Sequence, residues 1–392
     1  MKGKHKSLDR ISALPQDTIE KILTLMPLKD ALRTSILSRK WRYSWTTIPK
    51  LVFNDNMIVS SRNMLVDKYK FVSAIFHVFL QRTAPILEFS LLVTTGDFSS
   101  EIDQIILHLS RRNKNIKKFK FVFRTLGTSN CLLPRSIFSL QGLEHLHLSY
   151  CKFEPPLLNT GFRMLKSLHL CKPWITNEMV QRFLIDCPLL EKFTWTEIDD
   201  LAFERSKGDW VELLKCLPSV QILELSPLII AVIPNLFCLK HLDADDMPQK
   251  HAISLPNLRI LVFHIYVFLE LSFVLIYDQR LSKFGEDQIE GKYHMCWDHD
   301  EVCPKNDLPD IKDYTGLNLD HLKEIEITSF NNHDLEMDFV KLIMANSPVL
   351  KKARLEINSD VSVDEEVKML RDLMHIPFLR ASPITIERPK DD

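Results

Sequence analysis

Glycine is scarce in this chain: 9 residues in 392, at positions 3, 96, 127, 142, 161, 208, 285, 291 and 316. None lie close enough for Gly-x-Gly-x-x-Gly or a phosphate-cradling loop ending in Gly-Lys-Ser/Thr, so the common nucleotide-binding loops are excluded. There is no Gly-x-Ser-x-Gly elbow and no His-Glu-x-x-His, which removes two frequent hydrolase signatures. Excess charge is lacking too. The net charge of −1 leaves no global pull toward nucleic acid or membrane. No long apolar run is free of charge. The nearest, 258–277, is interrupted by Arg259, His264 and Glu270 and is rich in Val, Ile, Phe and Tyr. It reads as two buried strands with a short connection rather than a membrane span. Residues 1–6 are Met-Lys-Gly-Lys-His-Lys with no apolar stretch behind them, which is not a secretory leader. The eight Cys therefore read as free thiols in a reducing compartment, with no disulfide framework.

What is present begins at residue 9. Ile19, Ile22, Leu23 and Met26 fall on one helical face. Pro27 ends that helix, because it lacks an amide donor and restricts the residue before it. Leu28, Leu32, Ser35 and Ile36 share a side of the next short helix, and Trp41 and Trp45 stand one turn apart if that stretch is helical. Some forty residues cannot bury this apolar set within themselves, so the leftover face needs a partner. Residues 1–50 carry eleven Lys and Arg against four acids, a net of +7. These are scattered through the helical segment, which favours an acidic protein partner over nucleic acid.

The run "DRISALPQDTIEKILTLMPLKDALRTSILSRKWRYSW" resembles an F-box. Leu14-Pro15, Pro27-Leu28 and Leu37-Ser38-Arg39-Lys40-Trp41-Arg42 carry the resemblance. It is closest in kind to the plant F-box proteins with leucine-rich repeats and a C-terminal FBD domain. That resemblance implies docking onto a Skp-type adaptor and, through it, a cullin, within an SCF ubiquitin ligase. The adaptor-facing candidates are Leu14, Pro15, Ile19, Leu23, Pro27, Leu28, Leu32, Leu37, Trp41 and Trp45, some of which must serve as internal core.

Downstream, an apolar-x-x-apolar-x-apolar pattern recurs: Ile86/Phe89/Leu91, Ile116/Phe119/Phe121, Leu143/Leu146/Leu148, Leu165/Leu168/Leu170, Leu190/Phe193/Trp195, Val220/Leu223/Leu225, Leu239/Leu242, Leu258/Leu261/Phe263, Leu322/Ile325/Ile327 and Leu350/Ala353/Leu355. From Leu146 the central positions are spaced 22, 25, 30, 19 and 19. The pattern predicts short parallel strands, with helices over 68–82, 100–112, 177–186, 209–217 and 334–345. One strand and one helix cannot close a core, but stacked neighbours can. The fold class is α/β: a small all-α F-box module over 7–50, then an irregular leucine-rich-repeat solenoid over 51–263. A doubly wound sheet is the alternative, made less apt by the irregular units and few glycines.

Residues 264–316 break the rhythm. From 285 to 313 there are nine acids and three bases, the pattern of a solvated insertion. Within it, His294, Cys296, His299 and Cys303 have zinc-like donor chemistry but match no common spacing, so no metal and no cofactor is expected. Residues 317–390 resemble an FBD cap through Leu322-Lys323-Glu324-Ile325, Asn346-Ser347-Pro348 and Leu350-Lys351-Lys352.

His145, His147, Ser167, His169, Glu224, His241 and Asp243 lie between inward apolar positions, so they share the opposite strand face. They are the candidate target-binding residues, with a pH-sensitive patch among the possibilities. The combined expectation is a non-catalytic substrate adaptor in the cytoplasm and/or nucleus, with neither nucleic acid nor membrane as partner. Two alternatives stay open: a scaffold acting outside any ligase, and an enzyme with an unfamiliar site.

Overall fold

The computed structural model describes residues 11, 13–55, 64–94, 99–112, 115–123, 131–152, 154, 162–173, 175–196, 210–225, 253–264, 317–330, 334–359, 361–374 and 384–387. The chain forms two compact units, Met1–Ser206 and Lys207–Asp392.

The first unit opens with helix α1 (Gln16–Thr24) and helix α2 (Leu28–Arg33), followed by two 3-10 turns, Thr34–Ile36 and Ser44–Thr47. Pro15 and Pro27 each stand just before a helix, where a missing amide costs nothing. Six strands follow: β1 (Lys50–Asn54), β2 (Glu88–Val93), β3 (Lys118–Phe123), β5 (His145–Ser149), β7 (Ser167–Cys171) and β8 (Lys192–Thr196). Each pairs in parallel with the next in chain order. The two-residue strands β4 (Cys131–Leu132) and β6 (Cys151–Lys152) form a separate parallel pair. Helices α3 (Met64–Gln81), α4 (Ser99–Arg112) and α5 (Asn177–Ile185) lie between strands, within a residue or a few of the predicted ranges.

The second unit holds helix α6 (Trp210–Lys215), then β9 (Ile222–Leu225), β11 (Ile260–His264), β13 (Glu324–Phe330), β14 (Lys352–Ile357) and β15 (Ile384–Glu387), again parallel and in chain order. Short strands β10 (Ile253–Ser254) and β12 (Leu317–Asn318) pair with each other. Helix α7 (Asp334–Ala345) matches the predicted range, and α8 (Val363–Met374) was not foreseen. Among the described strands of either unit the order does not reverse, as a doubly wound sheet requires at its switch point.

The apolar triplets are inward. Phe89, Phe119, Leu146, Leu168, Phe193, Leu223, Leu261, Ile325 and Ala353 are all buried. Each is worth up to about 1.5–3 kcal/mol of removal from water, alanine less. Helices close over them: Phe79 of α3 meets Phe89 at 5.9 Å, and Phe339 of α7 meets Phe263 edge-on at 4.7 Å. A turn introduces most strands, with the amide of Leu143, Leu165, Leu190, Val220, Leu258, Leu322 or Leu350 donating three residues back. At most strand entrances one carbonyl then accepts two consecutive amides from the next strand: Lys117 takes Glu144 and His145, Glu144 takes Lys166 and Ser167, and Lys166 takes Glu191 and Lys192. This turn and rung are what the recurring sequence pattern encodes.

Of the apolar stretch 258–277, residues 260–264 form β11, and the rest lies outside the described residues. No helix among the described residues is long and apolar enough to cross a membrane. Cys151 and Cys187 are buried thiols and Cys171 and Cys216 half-buried ones, all four reduced. Burial pushes the Cys187 thiol up to about 12, which leaves it inert.

Candidate interaction surfaces

The N-terminal helices sort the ten predicted adaptor-facing residues into two groups. Ile19, Leu23, Leu28, Trp41 and Trp45 are buried and form the module's own core with Ala31 and Ile48. Leu14 and Leu32 are half-buried, while Pro15, Pro27 and Leu37 are exposed. Four further apolar side chains stand in solvent: Leu25 and Ile36, each 87% exposed, with Tyr43 and Ile11. Sequence reasoning missed these four. The helix period flags Leu25 as lying off the Ile19–Leu23 face, and that signal was available.

Polar bonds hold the loop after α2 against α1. Trp41 Nε1 donates to the Ile11 carbonyl at 3.2 Å, and Lys40 Nζ donates to that of Leu14. Gln16 Nε2 donates to Ser44 Oγ (3.3 Å), and Thr47 Oγ1 to Glu20 Oε1 (3.1 Å). The module is also fastened to the strands. Thr46 Oγ1 and Thr83 Oγ1 share a hydrogen bond at 3.0 Å, and the Pro49 carbonyl accepts the amides of Leu87 and Glu88.

In the first unit the outward strand face forms rows by register. One row is Glu88, Lys118, His145, Ser167 and Lys192; the next is Ser90, Lys120, His147, His169 and Thr194, the last fully buried. Four of the predicted target-binding residues, His145, His147, Ser167 and His169, therefore lie side by side. The rings of His147 and His169 stack at 4.0 Å with 12° between planes, and His147 Nε2 shares a hydrogen bond with Ser149 Oγ at 2.9 Å. Burial pushes the His147 imidazole down to about 3, with help from His169 and Lys120. Burial and Lys118 also lower His145. Both imidazoles are thus neutral donors at physiological pH, not charged ones. At the strand entrances Glu144 takes both Lys117 and Lys166 (3.0 Å), whose hydrogen bonds hold its carboxyl down to about 2.

In the second unit the outward face is different. Glu224 lies on β9, where His264 Nε2 approaches its Oε1 at 2.9 Å, and His264 Nδ1 meets Thr328 Oγ1 at 3.0 Å. Arg354 bridges Glu326 (2.8 Å) and Glu387 (2.8 Å). His264, Thr328 and Arg354 were not among the predicted target-binding residues, although Thr328 and Arg354 lie beside or within the repeat copies Leu322/Ile325/Ile327 and Leu350/Ala353/Leu355. His241, Asp243 and the cluster His294, Cys296, His299 and Cys303 lie outside the described residues. Among the described residues no group of His, Cys, Asp and Glu is placed to hold a metal.

Comparison with known proteins fits these features. Residues 11–53 match the F-box domain, 107–261 the leucine-rich repeats of FBD-associated F-box protein At5g56370, and 318–355 the FBD domain. The Arabidopsis thaliana F-box/FBD/LRR-repeat protein At1g13570 is 30% identical, over 96% of this chain and 97% of its own length. The chain belongs to the F-box/FBD/LRR-repeat family. FBD-associated F-box protein At5g56370 and F-box/FBD/LRR-repeat protein At5g56420, both from Arabidopsis thaliana, are 34% and 28% identical, and the matches cover 44% and 49% of their lengths. The F-box match reaches Phe53, so it includes the N-terminal helices and most of β1. The leucine-rich-repeat match includes β3 to β9 and the first two residues of β11, and so the His147–His169 face but not His264, while the FBD match takes in β13, α7 and the start of β14.

Proposed function

We propose that this F-box/FBD/LRR-repeat protein is the substrate-holding subunit of an SCF-type ubiquitin ligase. Its F-box docks on a Skp-type adaptor and, through it, on a cullin, and its strand faces hold a target protein. The observation that carries the reading is the solvent-facing apolar set Leu25, Ile36, Leu37, Tyr43 and Ile11, spread over a module whose own core is already filled. Such side chains in water favour a partner that covers them. With them we group Leu14, Pro15, Pro27 and Leu32. Ile19, Leu23, Leu28, Trp41 and Trp45 shape the surface from beneath.

In this reading the helical F-box occupies 7–50, an irregular repeat solenoid 51–263, an acidic insertion 264–316 and an FBD cap 317–390. The chain does no chemistry. It raises the concentration of target lysines near the charged thioester of a partner enzyme. The reading places it in the cytoplasm and/or nucleus, with neither nucleic acid nor membrane as partner.

The test is a pull-down with a recombinant Skp-type adaptor. Leu14→Ala with Pro15→Ala is expected to abolish retention while the circular dichroism of the strand region is unchanged. Undiminished retention refutes the interface. Cullin co-purifying with the wild-type chain supports the ligase; adaptor without cullin moves the chain to the scaffold reading.

A further inference from the structure

The outward strand faces of the two units carry opposite charge. Among the described strand residues of the first unit, Lys50, Lys118, Lys120 and Lys192 share the outward face with one carboxylate, that of Glu88. In the second, Glu224, Glu324, Glu326, Glu356 and Glu387 stand against Lys352 and Arg354. The acidic face largely satisfies itself, because Arg354 already holds Glu326 and Glu387, and Glu224 holds His264. The basic face does so less. Glu88 is taken by Lys118 at 2.8 Å, and no carboxylate among the described residues pairs with Lys120.

Lys120 is exposed and sits in register beside His147, whose ring stacks on that of His169. The His147 imidazole is half-buried and neutral, so the centre of the patch offers an N–H donor and two stacked flat rings, with Ser167 one row away. The ammonium groups of Lys118 and Lys120 project from alternate positions of one strand, roughly 7 Å apart along it. That is also the spacing of alternate side chains in an extended peptide.

We propose that the strand face built by β3, β5 and β7 is a docking site for a carboxylate-rich, extended segment of the target polypeptide. Lys118 and Lys120 supply the attraction, and the stacked His147 and His169 supply donors and a flat seat. This rests on the reading of the strand face as the target-holding surface and names the chemistry of what it holds. Charge complementarity selects the occupant. A basic segment would be repelled by the exposed Lys120 ammonium here, whereas an acidic one would pair with it. A single phosphate would be met by ammonium groups spread along the strand and by neutral imidazoles, not by the clustered guanidinium groups that clamp it bidentately.

The experiment uses the full chain and three fluorescein-labelled dodecapeptides: alternating Glu-Ser, alternating Lys-Ser, and a neutral Gly-Ser peptide bearing one phosphoserine. Fluorescence anisotropy is expected to show binding of the Glu-Ser peptide only, weakening as salt rises. Lys120→Glu is expected to weaken it about tenfold, and Lys120→Arg to restore it. Arg111→Glu, an exposed charge swap on α4, is expected to leave it within twofold. No binding of the Glu-Ser peptide, equal losses in Lys120→Glu and Arg111→Glu, or tighter binding of the phosphoserine or Lys-Ser peptide overturns the proposal. Adaptor binding is measured on the same preparations. A chain that binds the adaptor and ignores the Glu-Ser peptide overturns this inference and leaves the ligase reading standing.

Discussion

Replacing Leu25 and Ile36 together by serine separates docking from folding. Each side chain is 87% exposed, so the isolated chain has almost no burial to lose. Surface changes of this kind shift stability by less than about 0.5 kcal/mol. Docking is another matter. Fully burying a Leu or Ile side chain is worth about 1.5–3 kcal/mol. At about 2 kcal/mol each, the pair would contribute about 4 kcal/mol to the proposed adaptor complex, roughly a thousandfold in Kd. Trp45 is the contrasting case. It is 4% exposed, and its truncation to alanine is expected to cost about 3–5 kcal/mol of stability. The assay is isothermal titration of a Skp-type adaptor into each variant, beside a thermal melt. The double serine variant should melt like wild type and bind at least a hundredfold more weakly. If it binds within threefold of wild type, Leu25 and Ile36 are not covered by the adaptor and the interface has been drawn on the wrong side of α1.

Two other outcomes follow from the fold. The His147 imidazole falls from 6.5 to about 3 on folding, so below pH 6.5 the unfolded chain binds the extra proton. The contribution to stability is whole above pH 6.5 and is lost as pH falls toward 3. Undiminished, the gap equals about 5 kcal/mol; the ring is only half-buried, so solvent screening reduces it to about 2 kcal/mol. Urea titrations at pH 7.5 and 4.5 should show a smaller loss for His147→Asn than for wild type, and equal losses would refute the assignment. In the core, Leu168 is fully buried between Leu146 and Phe193 on neighbouring strands. Leu168→Ala is expected to cost about 2–5 kcal/mol by chemical denaturation, and a cost under 1 kcal/mol would show that the strands pack loosely there.

Much of the strand region was legible because its signal is strictly local. The triplet Leu165/Leu168/Leu170 states both the turn before β7 and the inward side of the strand, and the same holds at six other described sites. The helices were readable to within a few residues because their apolar stripes face that sheet. Helix α8 was missed because its pattern is mixed, with Met369 and Leu373 inward but Val363 and Val367 in solvent. The F-box surface was only half legible. Period alone groups Ile19 with Leu23, but it cannot tell a face that meets Trp41 and Trp45 from one that meets another protein. That division depends on the return of the chain at Ser44–Thr47, which no local pattern announces. His264 was missed for a similar reason: its partners Glu224 and Thr328 are 40 and 64 residues away.

The Thr46–Thr83 hydrogen bond and the Pro49 carbonyl have a mechanical corollary. Only two residues separate the last turn of the docking module from the first strand. Within this unit the chain is therefore a stiff bracket and not a tether. A cargo seated near His147 would be presented at one reach and one angle to whatever grips Leu25 and Ile36. Lengthening the 48–49 joint with a few glycines would leave both grips intact yet blur that aim.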